Sequence, residues 1–445
     1  MDTMAERGAP PAVALHSIGC RTNQEEMVTL SADLVRHGYR MAGTISDASI
    51  IIVNTCSVTA ETESKTRRLL RSFAGAAPQA RILVTGCLAQ QQPDELAGMK
   101  GVTWVVGNGS KHLIDSIIAQ CPPGVYRTPL PQKAGEALPL TIPSPQADGQ
   151  YFQRTRYSVK IQEGCDFQCS YCIVPSLRGP SRSASFATVV ATCIRAVEAG
   201  YKEVVLTGTH IGQYREHGCG LIDLAERLSA IPGDFRIRFS SLDPRDCTDA
   251  LLEMIGAGGR FCNHLHVSLQ SCSEEVLDAM RRPVGATFDC IERLSRFRQR
   301  YPMAGIGADI IAGFPGETEE MFEETCRLVE RLGFTYVHAF RFSARPGTAA
   351  AGARNQVSES QKTKRSVRIR RVASAGAAAF IERLRGTPQR IIVESSRPVR
   401  GITSNFIHVE IPDCTLGRNA WLDVLVTGPH SGKYVSAQVA LSKVA

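Results

Sequence analysis

Glu163-Gly164-Cys165-Asp166-Phe167-Gln168-Cys169-Ser170-Tyr171-Cys172 follows directly on the apolar run Val159 to Ile161. A short apolar run closed by a loop reads as a buried strand. From Tyr157 onward the same unit returns at Glu203 to Leu206, Arg236 to Phe239, His264 to Leu269, Ile306 to Ile311 and Tyr336 to Phe342, with helical stretches between. Six strands, each followed by a helix, predict a parallel barrel, and an open one, because a closed ring takes eight such units. Barrels of this kind carry their chemistry at the C-terminal ends of the strands. The cysteine triplet occupies the first of those loops.

Three thiols in that loop allow three readings. A structural zinc site would need a fourth ligand from elsewhere. Packing thiols would make the spacing accidental. A four-iron cluster held by three thiolates needs nothing more and keeps one iron open for a ligand.

Upstream, Val13 to Ile18, Ile50 to Val53, Ile82 to Val84 and Thr103 to Val106 read as strands separated by helix-length segments, a Rossmann-like α/β domain over residues 11–121. A second set of cysteines, Cys20, Cys56 and Cys87, stands just past three of these strands. Parallel strands deliver their C-terminal ends to one edge, so thiols 36 and 31 residues apart can converge there. The plainer alternative is that buried cysteines commonly end strands. Residues 122–150 hold seven prolines (Pro122, Pro123, Pro129, Pro131, Pro139, Pro143, Pro145) and read as a linker before the core at 151–385.

Downstream, residues 357–385 form a basic helical stretch with Lys362, Lys364, Arg365, Arg368, Arg370 and Arg371. Beyond Gly386, the runs Arg390 to Glu394, Asn405 to Ile411, Trp421 to Val426 and Tyr434 to Val439 predict a small antiparallel β-barrel over 386–445. Residues 361–445 carry fourteen Lys and Arg against five Asp and Glu, whereas the whole chain is +8. A basic end on a nearly neutral body points to a polyanionic partner.

The 445 residues contain no unbroken apolar run long enough to span a membrane, and Met1 to Arg7 lack the apolar stretch of a secretory signal. A soluble, cytoplasmic protein with no membrane partner is expected. Fifteen cysteines would suit a disulfide framework only in an oxidising compartment. Reduced thiols that hold metal fit better, with the nine outside the two sets assigned to packing.

Cys165, Cys169 and Cys172, with an aromatic residue before the last cysteine, resemble the signature of the radical S-adenosylmethionine superfamily. The resemblance implies that the methionyl group of S-adenosylmethionine chelates the open iron, and that one electron from the cluster yields a 5′-deoxyadenosyl radical. A radical suits insertion at an unactivated C–H bond, which offers no acidic proton to a side-chain base.

From about His16 to Gln438 the order of parts is similar to the methylthiotransferase family. That likeness implies two [4Fe-4S] clusters, the second on Cys20, Cys56 and Cys87 and concerned with sulfur delivery, and a C-terminal TRAM-like domain. Gly-Cys-Arg-Thr-Asn-Gln and Asn-Thr-Cys-Ser-Val-Thr-Ala-Glu, with Lys65, Arg67 and Arg68 following, resemble the branch that methylthiolates C2 of threonylcarbamoyladenosine at position 37 of tRNA. They resemble less the branches acting on isopentenyladenosine or on a ribosomal protein aspartate. The implied partners are the tRNA anticodon loop, S-adenosylmethionine and an external electron donor, with the protein a monomer.

Two further motifs fit as cofactor-binding walls: Thr207 and Gly208 at the end of the second barrel strand, and Gly313, Pro315 and Gly316 after the fifth. A tight strand-to-helix turn explains either as well. Where the family usually has glycine after Leu269-Gln270-Ser271, this chain has Cys272, read as a packing thiol. His16, His264, His266 and His338 lie in apolar strands and are read as hydrogen-bonded structural imidazoles. The non-enzymatic rival is an RNA-binding protein with structural zinc.

Overall fold

The computed structural model describes residues 10–131, 155–412, 414–431 and 434–440. The first domain is a parallel sheet of β1 (Ala12–Ser17), β2 (Arg40–Met41), β3 (Ile50–Thr55), β4 (Arg81–Gly86), β5 (Val102–Val106) and β6 (Gly124–Tyr126), in the order β2-β1-β3-β4-β5-β6. Its central strands read as unbroken apolar runs because both faces are covered. Ile51 and Val53 pack with Leu70 and Phe73 of the helix Ala60–Ala76, while Ile50 and Ile52 pack with Met27, Leu30 and Leu34 of the helix Arg21–Arg36.

Two of these strands were not legible. Arg40–Met41 is too short to make a run, and Gly124–Tyr126 follows Pro122-Pro123 inside the segment read as a linker. As an edge strand pairing only with β5, β6 tolerates the missing proline N–H groups beside it. Pro139, Pro143 and Pro145 lie outside the described residues.

The second domain contains β7 (Arg156–Glu163), β8 (Arg182–Ser183), β9 (Glu203–Gly208), β10 (Arg236–Phe239), β11 (His264–Gln270), β12 (Gly305–Ala312) and β13 (Tyr336–Arg341). The sheets β8-β7-β9-β10 and β11-β12-β13 are joined by the parallel bridges Ile237 to Phe261 and Leu242 to Val267. Six parallel strands therefore curve into the expected open barrel, and β8 adds a short antiparallel edge. Alternation decides the lining. Val204, Leu206, Ile237, Phe239, Leu265 and Val267 face the helices and bury there, at about 2 kcal/mol each. The residues between them, including Lys160, Glu203, Arg238, His266, Asp309 and Tyr336, face inward. An interior lined with charge is a chamber rather than a packed core.

Ser358 caps the helix Glu359–Leu384, accepting from the Gln361 N–H. The helix leads to β14 (Pro388–Ser396), β15 (Val399–Thr403), β16 (His408–Ile411), β17 (Trp421–Ser431) and β18 (Tyr434–Val439), a closed barrel ordered β14-β15-β16-β18-β17. The expected all-antiparallel pairing is corrected at one seam, where β16 and β18 run parallel to close the ring. The turn after β15 docks under the chamber: Arg238 donates to the carbonyls of Thr403 and Ser404 at 3.1 and 3.0 Å, and Phe406 stacks on His264 at 4.6 Å.

The basic helix also differs from expectation. Arg365 is buried and donates to Glu317 and Glu319 at 2.8 and 3.1 Å, Lys362 is buried beside Glu359, and Arg368 pairs with Glu319 and Glu323. Half of the counted cations are thus spent within the fold. Lys364, Arg370 and Arg371 stay exposed. Summing charge along a local stretch cannot see acids supplied from the start of an earlier helix.

Candidate active site

Cys20, Cys56 and Cys87 do converge. Cys20 immediately precedes the helix Arg21–Arg36, Cys56 follows β3 and Cys87 opens the helix Cys87–Gln91 after β4. Gly19 has φ +107°, and a Cβ there would overlap that of Cys56, so only glycine lets the two loops lie together. Two asparagines knit the edge: Asn23 donates to the Ile18 and Thr55 carbonyls, both at 2.9 Å, and Asn54 donates to the Asn23 carbonyl at 2.9 Å. Burial, reinforced by Cys87 and Cys20, pushes the Cys56 thiol up to about 12.

The other triplet is held by the loop and the strands around it. The Cys165 N–H donates to the Gly179 carbonyl at 3.1 Å, the Cys172 N–H to the Cys169 carbonyl at 3.0 Å, and the Ser170 N–H to the Met280 carbonyl at 3.0 Å. Burial, with Cys169 and Cys165 adding to it, pushes the Cys172 thiol up to about 12. A thiol so resistant to ionisation becomes a thiolate when a metal replaces its proton. Each set offers three sulfurs, a soft donor set that suits an iron–sulfur cluster with one iron left open.

The two triplets meet across the domain boundary. Cys87 packs on Ile173, the residue after Cys172, and on Leu177 of the helix Val174–Arg178, and Asn108 donates to the Leu177 carbonyl at 2.8 Å. Arg178 lies within electrostatic reach of Cys20, Cys56 and Cys87. Its guanidinium joins Glu26 and Asn23 of the first domain to Glu163 of the barrel, at 2.7, 2.7 and 2.6 Å. On the far side of the chamber mouth Arg345 bonds Glu63 at 2.6 Å. The first domain therefore sits over the open face of the barrel.

Similarity to known proteins follows this division. Residues 159–329 match the model of the Radical SAM superfamily, and residues 12–107 match that of Uncharacterized protein family UPF0004. The threonylcarbamoyladenosine tRNA methylthiotransferase MtaB of Thermotoga maritima is 34% identical over 86% of this chain and 86% of its own. The chain belongs to the radical SAM methylthiotransferase family. Membership makes it a transferase and implies a [4Fe-4S] cluster and S-adenosylmethionine. The MtaB of Bacillus subtilis is likewise 34% identical, over 86% of this chain and 85% of its own. A tRNA-2-methylthio-N(6)-dimethylallyladenosine synthase of Anaeromyxobacter dehalogenans is also 34% identical, over 88% and 82%. Among solved structures, the radical S-adenosylmethionine methyltransferase TsrM from Kitasatospora setae superposes with a TM-score of 0.55 at 15% identity, over 77% of this chain and 75% of that one. The shared fold is all that this last likeness carries.

In this methylthiotransferase Thr207 is buried at the chamber mouth, and the Gly208 carbonyl accepts from Thr22 of the first domain at 3.4 Å. Pro315 lies in the turn between Gly313 and Gly316. The space a side chain would fill at Gly313 is taken by Lys362, and at Gly316 by Asn355. These glycines thus accommodate the C-terminal segment. Cys272 is buried in the barrel's outer core, and its N–H donates to Thr325 at 3.1 Å, as a packing thiol would.

Two residues beside the barrel triplet were given no role of their own from sequence. His210 sets Nδ1 3.9 Å from the Cys165 sulfur and Nε2 2.7 Å from Asp246. Burial opposes its protonation, yet the bonds to Asp246 and Cys165 outweigh burial and hold the imidazole at about 9. Arg282, bonded to Asp243 at 2.8 Å, faces Cys169. For His210 the available signal was a titratable residue just past an apolar strand, whereas Arg282 follows the helix Glu274–Ala279 and gave none. Three of the four imidazoles read as structural are bonded, but inward: His264 and His266 both meet the Tyr336 hydroxyl, at 2.9 and 3.0 Å, and His266 and His338 share Asp309 at 2.9 and 3.2 Å, while His16 packs edge-on against Phe73.

Proposed function

We propose that this methylthiotransferase replaces the C2 hydrogen of threonylcarbamoyladenosine at position 37 of tRNA with a methylthio group. The observation that carries the reading is the meeting of two cysteine triplets at one chamber mouth, in a chain whose relatives include enzymes named for that nucleoside. Cys165, Cys169 and Cys172 hold the cluster that binds S-adenosylmethionine, and Cys20, Cys56 and Cys87 hold the second. When bound, the first cluster with S-adenosylmethionine supplies the hydrogen-abstracting radical, and the second supplies the site of sulfur transfer.

The protein's own residues supply position and exclusion. His210 and Arg282 stand beside Cys165 and Cys169 and help to position them. The first domain, clamped by Arg178 and Arg345, brings its cysteines to the mouth and shuts out bulk water. An unpaired anticodon-loop base enters without breaking a duplex. Thr207 and Gly208 border S-adenosylmethionine at the end of β9, with Gly313, Pro315 and Gly316 on the opposite wall. The exposed Lys364, Arg370 and Arg371, with the C-terminal barrel, hold the tRNA. The enzyme works as a cytoplasmic monomer fed by an external electron donor.

Nucleoside mass spectrometry of tRNA from cells lacking the gene tests this. The methylthio nucleoside should vanish and threonylcarbamoyladenosine accumulate. Loss of the methylthio form of isopentenyladenosine instead would reassign the substrate.

A further inference from the structure

We infer that Arg21 is the specificity residue of the chamber, its guanidinium receiving the carboxylate of the threonylcarbamoyl group; this rests on the substrate reading above. Arg21 opens the helix Arg21–Arg36 of the first domain, and its neighbour Thr22 is tied to Gly208 at the end of β9. From there the Arg21 side chain enters the barrel. Its guanidinium carbon stands 5.6 Å from the Phe406 ring, among the inward-facing Arg156, Arg238 and Tyr336. Among the described residues it makes no hydrogen bond or ion pair.

The nearby carboxylates are already engaged. Glu203 accepts from Arg236 and Arg238 at 2.7 and 2.8 Å, Glu394 from Arg156 at 3.0 Å, and Asp309 from His266 at 2.9 Å. The guanidinium groups of Arg21, Arg156, Arg236 and Arg238 outnumber the carboxylates of Glu203, Glu394 and Asp309, which leaves the base of the chamber with surplus positive charge. A half-buried guanidinium with idle donors is costly until an anion arrives. A carboxylate is its planar, two-point match. An isopentenyl substituent would cover the same cation and give it no partner, so one residue both attracts the acidic substituent and rejects the apolar one.

The test compares holoenzyme and Arg21→Gln holoenzyme for binding, by fluorescence anisotropy, of three anticodon stem-loops: one with threonylcarbamoyladenosine, one with its carboxamide, one with isopentenyladenosine. The wild type should bind the acid about ten- to a hundredfold more tightly than the amide, and Arg21→Gln should bind the two alike. Because acid and amide are compared on the same protein, a folding defect in the variant cannot mimic the first result. Equal wild-type affinity for acid and amide would overturn the assignment of Arg21 even if the acid substrate is methylthiolated. Equal loss for all three RNAs in Arg21→Gln would also overturn it, giving the guanidinium to a phosphate. Turnover of the isopentenyl RNA but not the acid would instead remove the substrate reading itself.

Discussion

One nitrogen of Arg178, Nη1, donates to Glu26 of the first domain at 2.7 Å and to Glu163 of the barrel at 2.6 Å. Lys160 and Lys111 complete the cluster, reaching Glu26 at 3.3 and 2.6 Å. Arg178→Met leaves two buried carboxylates short of their main cation, so a loss of about 3–5 kcal/mol is expected. Chemical denaturation would show it, together with faster proteolysis between the first domain and the barrel. Wild-type stability in this variant would mean that the first domain docks by other means.

The same cluster sets an acid limit. Burial alone would raise the Glu26 carboxyl, but Arg178, Lys111 and Lys160 outweigh it and hold the group well below its ordinary 4.5. Glu203 is depressed likewise by Arg238 and Arg236 against burial. A carboxylate whose folded pKa lies below its unfolded one stabilises fully above the unfolded value, and that stability is lost as pH falls towards the folded one. Unfolding free energy should therefore decline below about pH 4.5, and less steeply in Glu26→Gln. Parallel pH profiles for the two proteins would remove Glu26 as a cause.

Replacing Cys165, Cys169 and Cys172 together by alanine should halve bound iron and abolish S-adenosylmethionine cleavage. The matching triple change at Cys20, Cys56 and Cys87 should also halve iron but leave cleavage in place. Iron assay and 5′-deoxyadenosine formation read both. A protein with the second set replaced and full iron content would assign those thiols to packing.

The basic helix divides into two groups. Arg365→Ala removes the partner of buried Glu317 and should lower the melting temperature without a specific effect on RNA. Lys364→Glu with Arg371→Glu should leave melting unchanged and weaken tRNA binding, the log–log salt slope falling by roughly 0.7 for each phosphate that is no longer neutralised. Anisotropy titrations across salt concentrations distinguish the groups, and an unchanged slope would take this helix off the RNA path.

Gly307 faces the chamber, and a Cβ there would overlap the Tyr336 ring. Gly307→Ala should cost about 1–3 kcal/mol and displace the Tyr336 hydroxyl from His264 and His266. Urea midpoints would register the first effect and histidine NMR shifts the second.

The apolar halves of this fold were readable and the polar halves only in part. Ile50 to Val53 and Glu203 to Leu206 announce themselves because buried strands are runs of branched apolar residues. The two-residue strand Arg40–Met41 has no pattern to show, and Val399–Thr403 is interrupted by Arg400 and Gly401. Both cysteine triplets were visible as spacing and strand-end position. The roles of Glu26, Arg178 and His210 were not, because their partners come from distant elements, and Arg21 showed only as one letter of its motif. A charge on a helix face looks solvated until the opposing surface is known, as Lys362 and Arg365 showed in the opposite direction.

The turn Thr403–Phe406 ties the C-terminal barrel to Arg238 and His264. The module proposed to recruit the tRNA is thereby also the floor of the reaction vessel. Truncating it removes more than affinity: water gains entry from below, His264 and Arg238 lose their cover, and a highly reactive species would be quenched before meeting its target. Such a truncated enzyme would consume cosubstrate without product, coupling failure rather than weak capture being its signature.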